Sequence, residues 1–339
     1  MATKVQTSKR STDKINILNI FLMLISAAFA FAWPFYCFLI AYAVLGPLHY
    51  LTEISWLHDR SYFTNDKRDY LFLVVASVIY GCCLIPGIHM SQLFANIVLV
   101  ALVVSLLFVM TKDVRLRIVI AVLGLLAAWF VPISFGTVIT SMLLLTMVHV
   151  FVFTGCFIFF GAMKSSSVTG YISGIVFLAL GAMMFLFTPM PNGGMADSFV
   201  ITHYDHAFGD LNIWFLRAFH LSQAGNSASD PFEFSPGATA VMRFIAFAYL
   251  YHYLNWFSKT KIIRWHEVSK RRLAGVAVLW CAAITVYAID YDLGVKVLFF
   301  LSALHVLLEF PLDFRTIIGI GSELRKRVRP KELELSGAS

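Results

Sequence analysis

The chain has 339 residues, of which 59% are hydrophobic and only 13% charged, with a formal net charge of +7. Soluble domains carry about a quarter charged residues, so an ordinary soluble domain is excluded and a polytopic membrane protein is implied. The positive balance does not indicate nucleic-acid binding, because the basic residues form short clusters between apolar runs, the pattern that sets membrane topology.

Met1–Lys14 is a short polar segment carrying Lys4, Lys9, Arg10 and Lys14, expected to lie in the cytoplasm, and an apolar run opens at Ile15. The basic start and the small residues of AAFAFA look like a signal peptide. The chain nevertheless stays apolar from Trp33 to Leu57, too far for one signal sequence, so two spanning helices broken at Pro34 are expected instead. Further runs of about 17–25 residues fall near Tyr70–Ile85, Gln92–Thr111, Leu116–Val131, Phe135–Met163, Gly170–Phe187, Ala238–Phe257, Leu273–Ile289 and Gly294–Phe314. The reading is an all-α bundle of about ten transmembrane helices over residues 15–317, with a polar tail, 318–339, that ends in disorder.

Charge sets the sidedness. Every second exit is basic: Arg60, Lys67 and Arg68; Lys112, Arg115 and Arg117; Lys164; Lys259, Lys261, Arg264 and Lys270 to Arg272; then Arg315 and Arg325 to Lys331. The other loops and the helix ends beside them hold only Arg217, Arg243 and Lys296, which predicts both termini in the cytoplasm. One long connection, 188–237, falls outside and reads as an ordered cap with a short interfacial helix at Asn212–Leu221. Five cysteines, Cys37, Cys82, Cys83, Cys156 and Cys281, all lie in apolar runs without a C-x-x-C pair and read as small buried apolar side chains.

Ionisable groups inside these runs are costly and mark function. In LGPLHYLTEISWLHDR, His49 and Glu53 are one helical turn apart, and in ALHVLLEFPLDF the same step recurs as His305, Glu309 and Asp313. Counting about 1.5 Å per residue, His49, His252 and His305 lie roughly 12, 8 and 14 Å from the cytoplasmic ends of their helices, with His149 near mid-depth. Four histidines at similar depth, where lipid offers no partner, point to one site for iron, zinc or copper. Glu53 and Glu309 would either ligate or orient a ring, and Asn255, a turn beyond His252, would donate a hydrogen bond. Each histidine taken alone could instead bond a carbonyl or join two helices. His58, Asp59 and His266 belong to the solvated surface, and Trp56, Trp256 and Trp265 to the cytoplasmic interface. An outer cluster of His203, Asp205, His206, Asp210 and His220 is a weaker second candidate, since short loops mixing His and Asp are common without metal. P-loop, dinucleotide and H-E-x-x-H motifs are absent.

At the same positions the chain resembles the Brp/Blh family, bacterial membrane β-carotene 15,15'-dioxygenases that use non-haem iron. The resemblance rests on GPLH around His49, VHVFVF around His149, FAYLYHYLNWF around His252 and ALHVLLEFPLDF around His305, about a fifth of the chain. It implies Fe(II) held by His49, His149 and His252, a bacterial inner membrane, and O2 with a lipid-soluble substrate, carotenoid in the family. The family carries two histidines a turn apart on its penultimate helix; here Trp256 stands at the second position, so His305, Glu53 or Glu309 would complete the coordination. Three expectations stand side by side: a metal-dependent oxygenase; a proton-coupled or cation transporter relaying through the buried His and Glu; and an assembly protein with incidental buried polar groups.

Overall fold

The computed structural model describes residues 2–83, 91–130, 132, 140–186, 198–218, 221 and 236–336. Among them the chain is all-α: α1 Ala2–Ala32, α2 Pro34–His58, α3 Tyr70–Cys83, α4 Ser91–Met110, α5 Val114–Phe130, α6 Thr140–Ser165, α7 Val168–Leu186, α8 Ser198–Ala218, α9 Pro236–Ser258, α10 Lys270–Ile289 and α11 Tyr291–Ser336. Pro34 sits in the first turn of α2, where its missing N–H costs nothing, and only Trp33 separates it from α1.

Among the described residues, six helices are long and apolar enough to cross a membrane: Thr12–Ala32, Pro34–His58, Thr140–Ser165, Val168–Leu186, Lys270–Ile289 and Tyr291–Val328. That is fewer than the ten read from apolar runs; Tyr70–Cys82 and Ala95–Met110 are apolar but shorter. Large apolar side chains face outward, among them Ile17 and Phe21 on α1, Ile118 and Leu123 on α5, and Val278 and Leu279 on α10. Hydrocarbon solvates such faces, whereas exposed to water they would drive aggregation.

Polar contacts at the helix ends show how the bundle is wound. Asn19 on α1 accepts from Ser258 at the end of α9, and Phe31 at the other end of α1 lies under Arg243 near the start of α9, so the two run antiparallel. At one end Arg272 pairs with Asp59 at 2.7 Å, Arg117 with Asp69 at 2.9 Å, Trp56 Nε1 donates to the Ile263 carbonyl and Arg327 to that of Met163. The basic clusters thus gather at a single end. At the opposite end His203 meets Asp292 at 2.8 Å.

Two apolar cores meet inside. One is built on Met23, Phe38, Phe177, Phe247 and Ile245, the other on Leu73, Val98, Ala101, Leu307 and Phe310. Helices α2 and α6 contribute to both, α9 to the first and α11 to the second. These are the four helices that carry His49, His149, His252 and His305. Gly170 lets α7 approach α6, since a Cβ there would lie 2.8 Å from the Ala162 Cβ.

Three expectations change. The helix of the outer connection is not the short Asn212–Leu221 piece but α8, 21 residues from Ser198, whose Tyr204 packs edge-on against Phe35 and Phe38. The polar tail is not disordered as far as Ser336, because α11 runs unbroken to that residue. Cys281 faces outward and Cys37, Cys82 and Cys156 are only half-buried, because in an apolar bundle the outer faces are as hydrophobic as the core; Cys83 lies outside the residues whose side chains are described.

A buried four-histidine cluster as the candidate metal centre

Two departures from α-geometry aim the site. Pro47 has no N–H to give the preceding turn, and the chain widens to a π-turn at Ala41–Leu45 just before it. The second π segment, Leu144–Phe153, contains His149. Each widened turn offsets the following side chains from the regular helical stripe, and such turns concentrate at functional sites.

His49, His149, His252 and His305 come together at the junction of the two cores, none more than 8% exposed. The Nε2 atoms of His252 and His49 are 2.9 Å apart, and those of His305 and His149 3.2 Å apart. Ring centroids of His149 stand 4.8 Å from His252 and 5.0 Å from His305. One ligand atom from each of His49, His149 and His305 falls within 4.8 Å of the others, an arrangement that could hold a metal ion.

The carboxylates take different places. Glu53 Oε2 lies 3.0 Å from His49 Nε2, on the side of the ring that faces the other histidines. Glu309 Oε2 lies 3.2 Å from His149 Nδ1, behind that ring, where it can fix the tautomer and leave Nε2 free to ligate. Glu53 and Glu309 also contact each other. Asp313 follows one turn on, buried, with neither carboxylate oxygen hydrogen-bonded.

Residues that sequence reasoning passed over complete the setting. Thr154 Oγ1 is 2.8 Å from His252 Nδ1 and holds that ring by a hydrogen bond, whereas Glu309 approaches His149 Nδ1 without one; a threonine inside an apolar run five residues after His149 was the available signal. Tyr253 and Tyr50 lie against His49 and His305, with centroids 5.2 and 5.4 Å away. Trp256 turns inward: it is buried, stands edge-on to His49 at 5.4 Å and donates Nε1–H to Thr52 Oγ1 at 3.0 Å. It therefore fills space beside the cluster. Asn255 Oδ1 accepts from Tyr251 at 3.4 Å, and the residue lines the same cavity as His49 and His252.

A cavity of about 310 Å3 reaches the cluster, lined by His49, Glu53, His252 and Glu309 at one end and by Lys259 and Ile263 at the other. It falls in the range of small-molecule sites, about 300–1,000 Å3. Outside the cluster, His58 is exposed beside Asp59. Of the outer candidates, His203 pairs with Asp292, while His220 and the side chains of His206 and Asp210 lie outside the described residues.

Comparisons with protein-family models, with curated proteins and with solved structures returned no match to this chain. The fold and site therefore define the protein by their own chemistry: an all-α bundle of membrane-type helices around a buried histidine group able to take a metal.

Proposed function

We propose that the chain is a membrane-embedded, histidine-ligated metal enzyme, an oxygenase acting on a lipid-soluble substrate. The observation that carries the reading is the crowding of imidazoles. The Nε2 atoms of His49 and His252 at 2.9 Å, and those of His149 and His305 at 3.2 Å, can each share one N–H···N bond when metal-free, and all four converge where a cation would accept their lone pairs together. The buried Nδ1 atom of His49, without a hydrogen-bond partner, marks a group not balanced by protein contacts alone.

His49, His149, His252 and His305 would hold the ion, with Glu53 beside it; several imidazoles with one carboxylate suit Fe(II), with zinc or copper as the competitors. The resemblance of these four segments to the Brp/Blh dioxygenases supports iron and a carotenoid-like substrate. When bound, Fe(II) supplies the one-electron chemistry that activates O2. The chain's own residues do the rest: Thr154 fixes the His252 ring, Glu309 stands behind that of His149, the aromatic wall of Tyr50, Tyr253 and Trp256 keeps water out, and the cavity presents substrate to the cluster. The basic-residue alternation supports a fold with ten spans, both termini in the cytoplasm and the cavity opening on that side, in a bacterial inner membrane.

The buried row Glu53, Glu309 and Asp313 favours a second reading, cation or proton transport. Fe(II)-loaded protein in nanodiscs, incubated with carotenoids under 18O2, should yield products carrying the label, and His149→Ala should not. Unlabelled substrate together with cation flux in proteoliposomes would replace the oxygenase with the transporter.

A further inference from the structure

We propose that the cavity beside the histidine cluster binds a single-chain amphiphile with an anionic head, the head at Lys259 and the chain running toward the histidines. The proposal rests on the reading above for the site but gives the cavity a ligand class other than the carotenoid of the resembled family, and its binding step does not require the metal.

Lys259 follows α9 directly and lines two cavities, the one of about 310 Å3 that reaches His49 and His252 and another of about 390 Å3 that reaches Asn16, Asn19 and Lys164. Phe157, Gly161 and Asn255 line both as well, so the two spaces share a wall. Among the described residues no carboxylate pairs with Lys259, although Arg272, Arg117 and Lys326 at the same end each have one. Enclosure pushes the Lys259 ammonium down to about 8, the response of a cation held away from water without a counter-charge. A ligand anion would supply that charge, and Lys164 adds a second cation at the mouth.

Beyond Lys259 the walls are apolar: Trp56, Phe157, Phe160, Trp256 and Leu312. They accept an aliphatic chain; the other polar residues of the lining are Asn255, Thr154 and Thr316, with Glu53 and Glu309 at the histidine end. Lys259 is two turns from His252, about 10 Å along the helix, and an extended chain advances about 1.2 Å per bond, so the carbons beside the histidines are roughly eight to nine bonds from the head. The cavity volume suits one such chain, not the two of a bilayer phospholipid.

Gly161 provides a test that spares the fold. A Cβ there meets nothing within 4 Å, so a leucine would project into the shared cavity space while replacing a poor helix former by a good one. Trp56 and Trp256 in the wall report occupancy through quenching by a brominated chain.

Metal-stripped full-length protein in nanodiscs would be titrated with a bromo-fatty acid and with its methyl ester, subtracting the quenching left in a Trp56→Phe/Trp256→Phe variant. The acid should bind saturably and at least tenfold more tightly than the ester. Lys259→Met should bring the acid down to the ester's affinity, and Gly161→Leu should abolish saturable binding of both. Equal binding of acid and ester, or an unchanged Lys259→Met, overturns the proposal. So does displacement of the acid by an anionic phospholipid, which would make the occupant a bilayer lipid. A negative result with metal binding intact removes the ligand and leaves the metal centre standing; a protein that binds the acid but no metal does the reverse.

Discussion

Thr154→Val tests whether the rings are held for metal. The substitution keeps the branched shape and removes only the hydroxyl 2.8 Å from His252 Nδ1, at a residue 1% exposed. Two effects follow. The buried Nδ1 loses its partner, which costs about 1–3 kcal/mol of stability. The ring is freed to rotate or change tautomer, and loss of such an orienting partner lowers metal affinity about 10–100-fold, or about 1.4–2.7 kcal/mol. Titration of stripped protein against a chelator of known affinity reads the second effect, and thermal unfolding of the metal-free protein reads the first. Thr154→Ser, which restores an oxygen, should recover most of the metal affinity. If Thr154→Val binds metal within twofold of wild type while His252→Ala does not bind, Thr154 has no positioning role and the account of the His252 tautomer is wrong.

Gly170→Leu should destabilise the bundle by about 1–3 kcal/mol as an overpacked contact, because its Cβ would sit 2.8 Å from the Ala162 Cβ and 3.0 Å from the Ala162 Cα, which is backbone and cannot yield; an unchanged melting temperature in detergent would show that α6 and α7 are farther apart. At the basic end, the hydrogen bond from Arg272 holds the Asp59 carboxyl below the usual carboxylate range. A depressed folded pKa contributes stability above the unfolded value, about 3.9, and loses it as pH falls through the folded value. The difference in melting temperature between wild type and Asp59→Asn should therefore be present at pH 6 and shrink below about pH 4; a difference independent of pH would assign it to packing.

Much of the site was legible in the sequence because burying a charge in an apolar run is expensive enough to be informative. The His49–Glu53 and His305–Glu309 steps follow from helical period alone, and counting residues to each helix end brought His49, His149, His252 and His305 to similar depth. What the period could not provide was which way each ring turns. The π segments at Ala41–Leu45 and Leu144–Phe153 break the regular stripe. As a result Glu53 faces His49 Nε2 while Glu309 stands behind His149 at Nδ1, two roles hidden in one repeated motif. Thr154 gave only a weak signal because a threonine in a membrane helix commonly bonds its own backbone, as Thr52 and Thr146 do here. Lys259 was hidden among the topology-setting basic residues, although among the described side chains it alone of them lines the histidine cavity. The outer connection misled because its apolar and polar residues alternate too finely to show where a 21-residue helix begins.

Four histidines from four helices holding one metal ion should be visible in elemental analysis of protein purified without a metal-affinity tag. Wild type should carry about one equivalent of a transition metal per chain. His49→Ala, His149→Ala, His252→Ala and His305→Ala should each lose most of it, while His58→Ala, at an exposed site, retains it. Wild-type protein that remains metal-free after exposure to Fe(II), Zn(II) and Cu(II), or that keeps its metal in all four variants, would contradict the account.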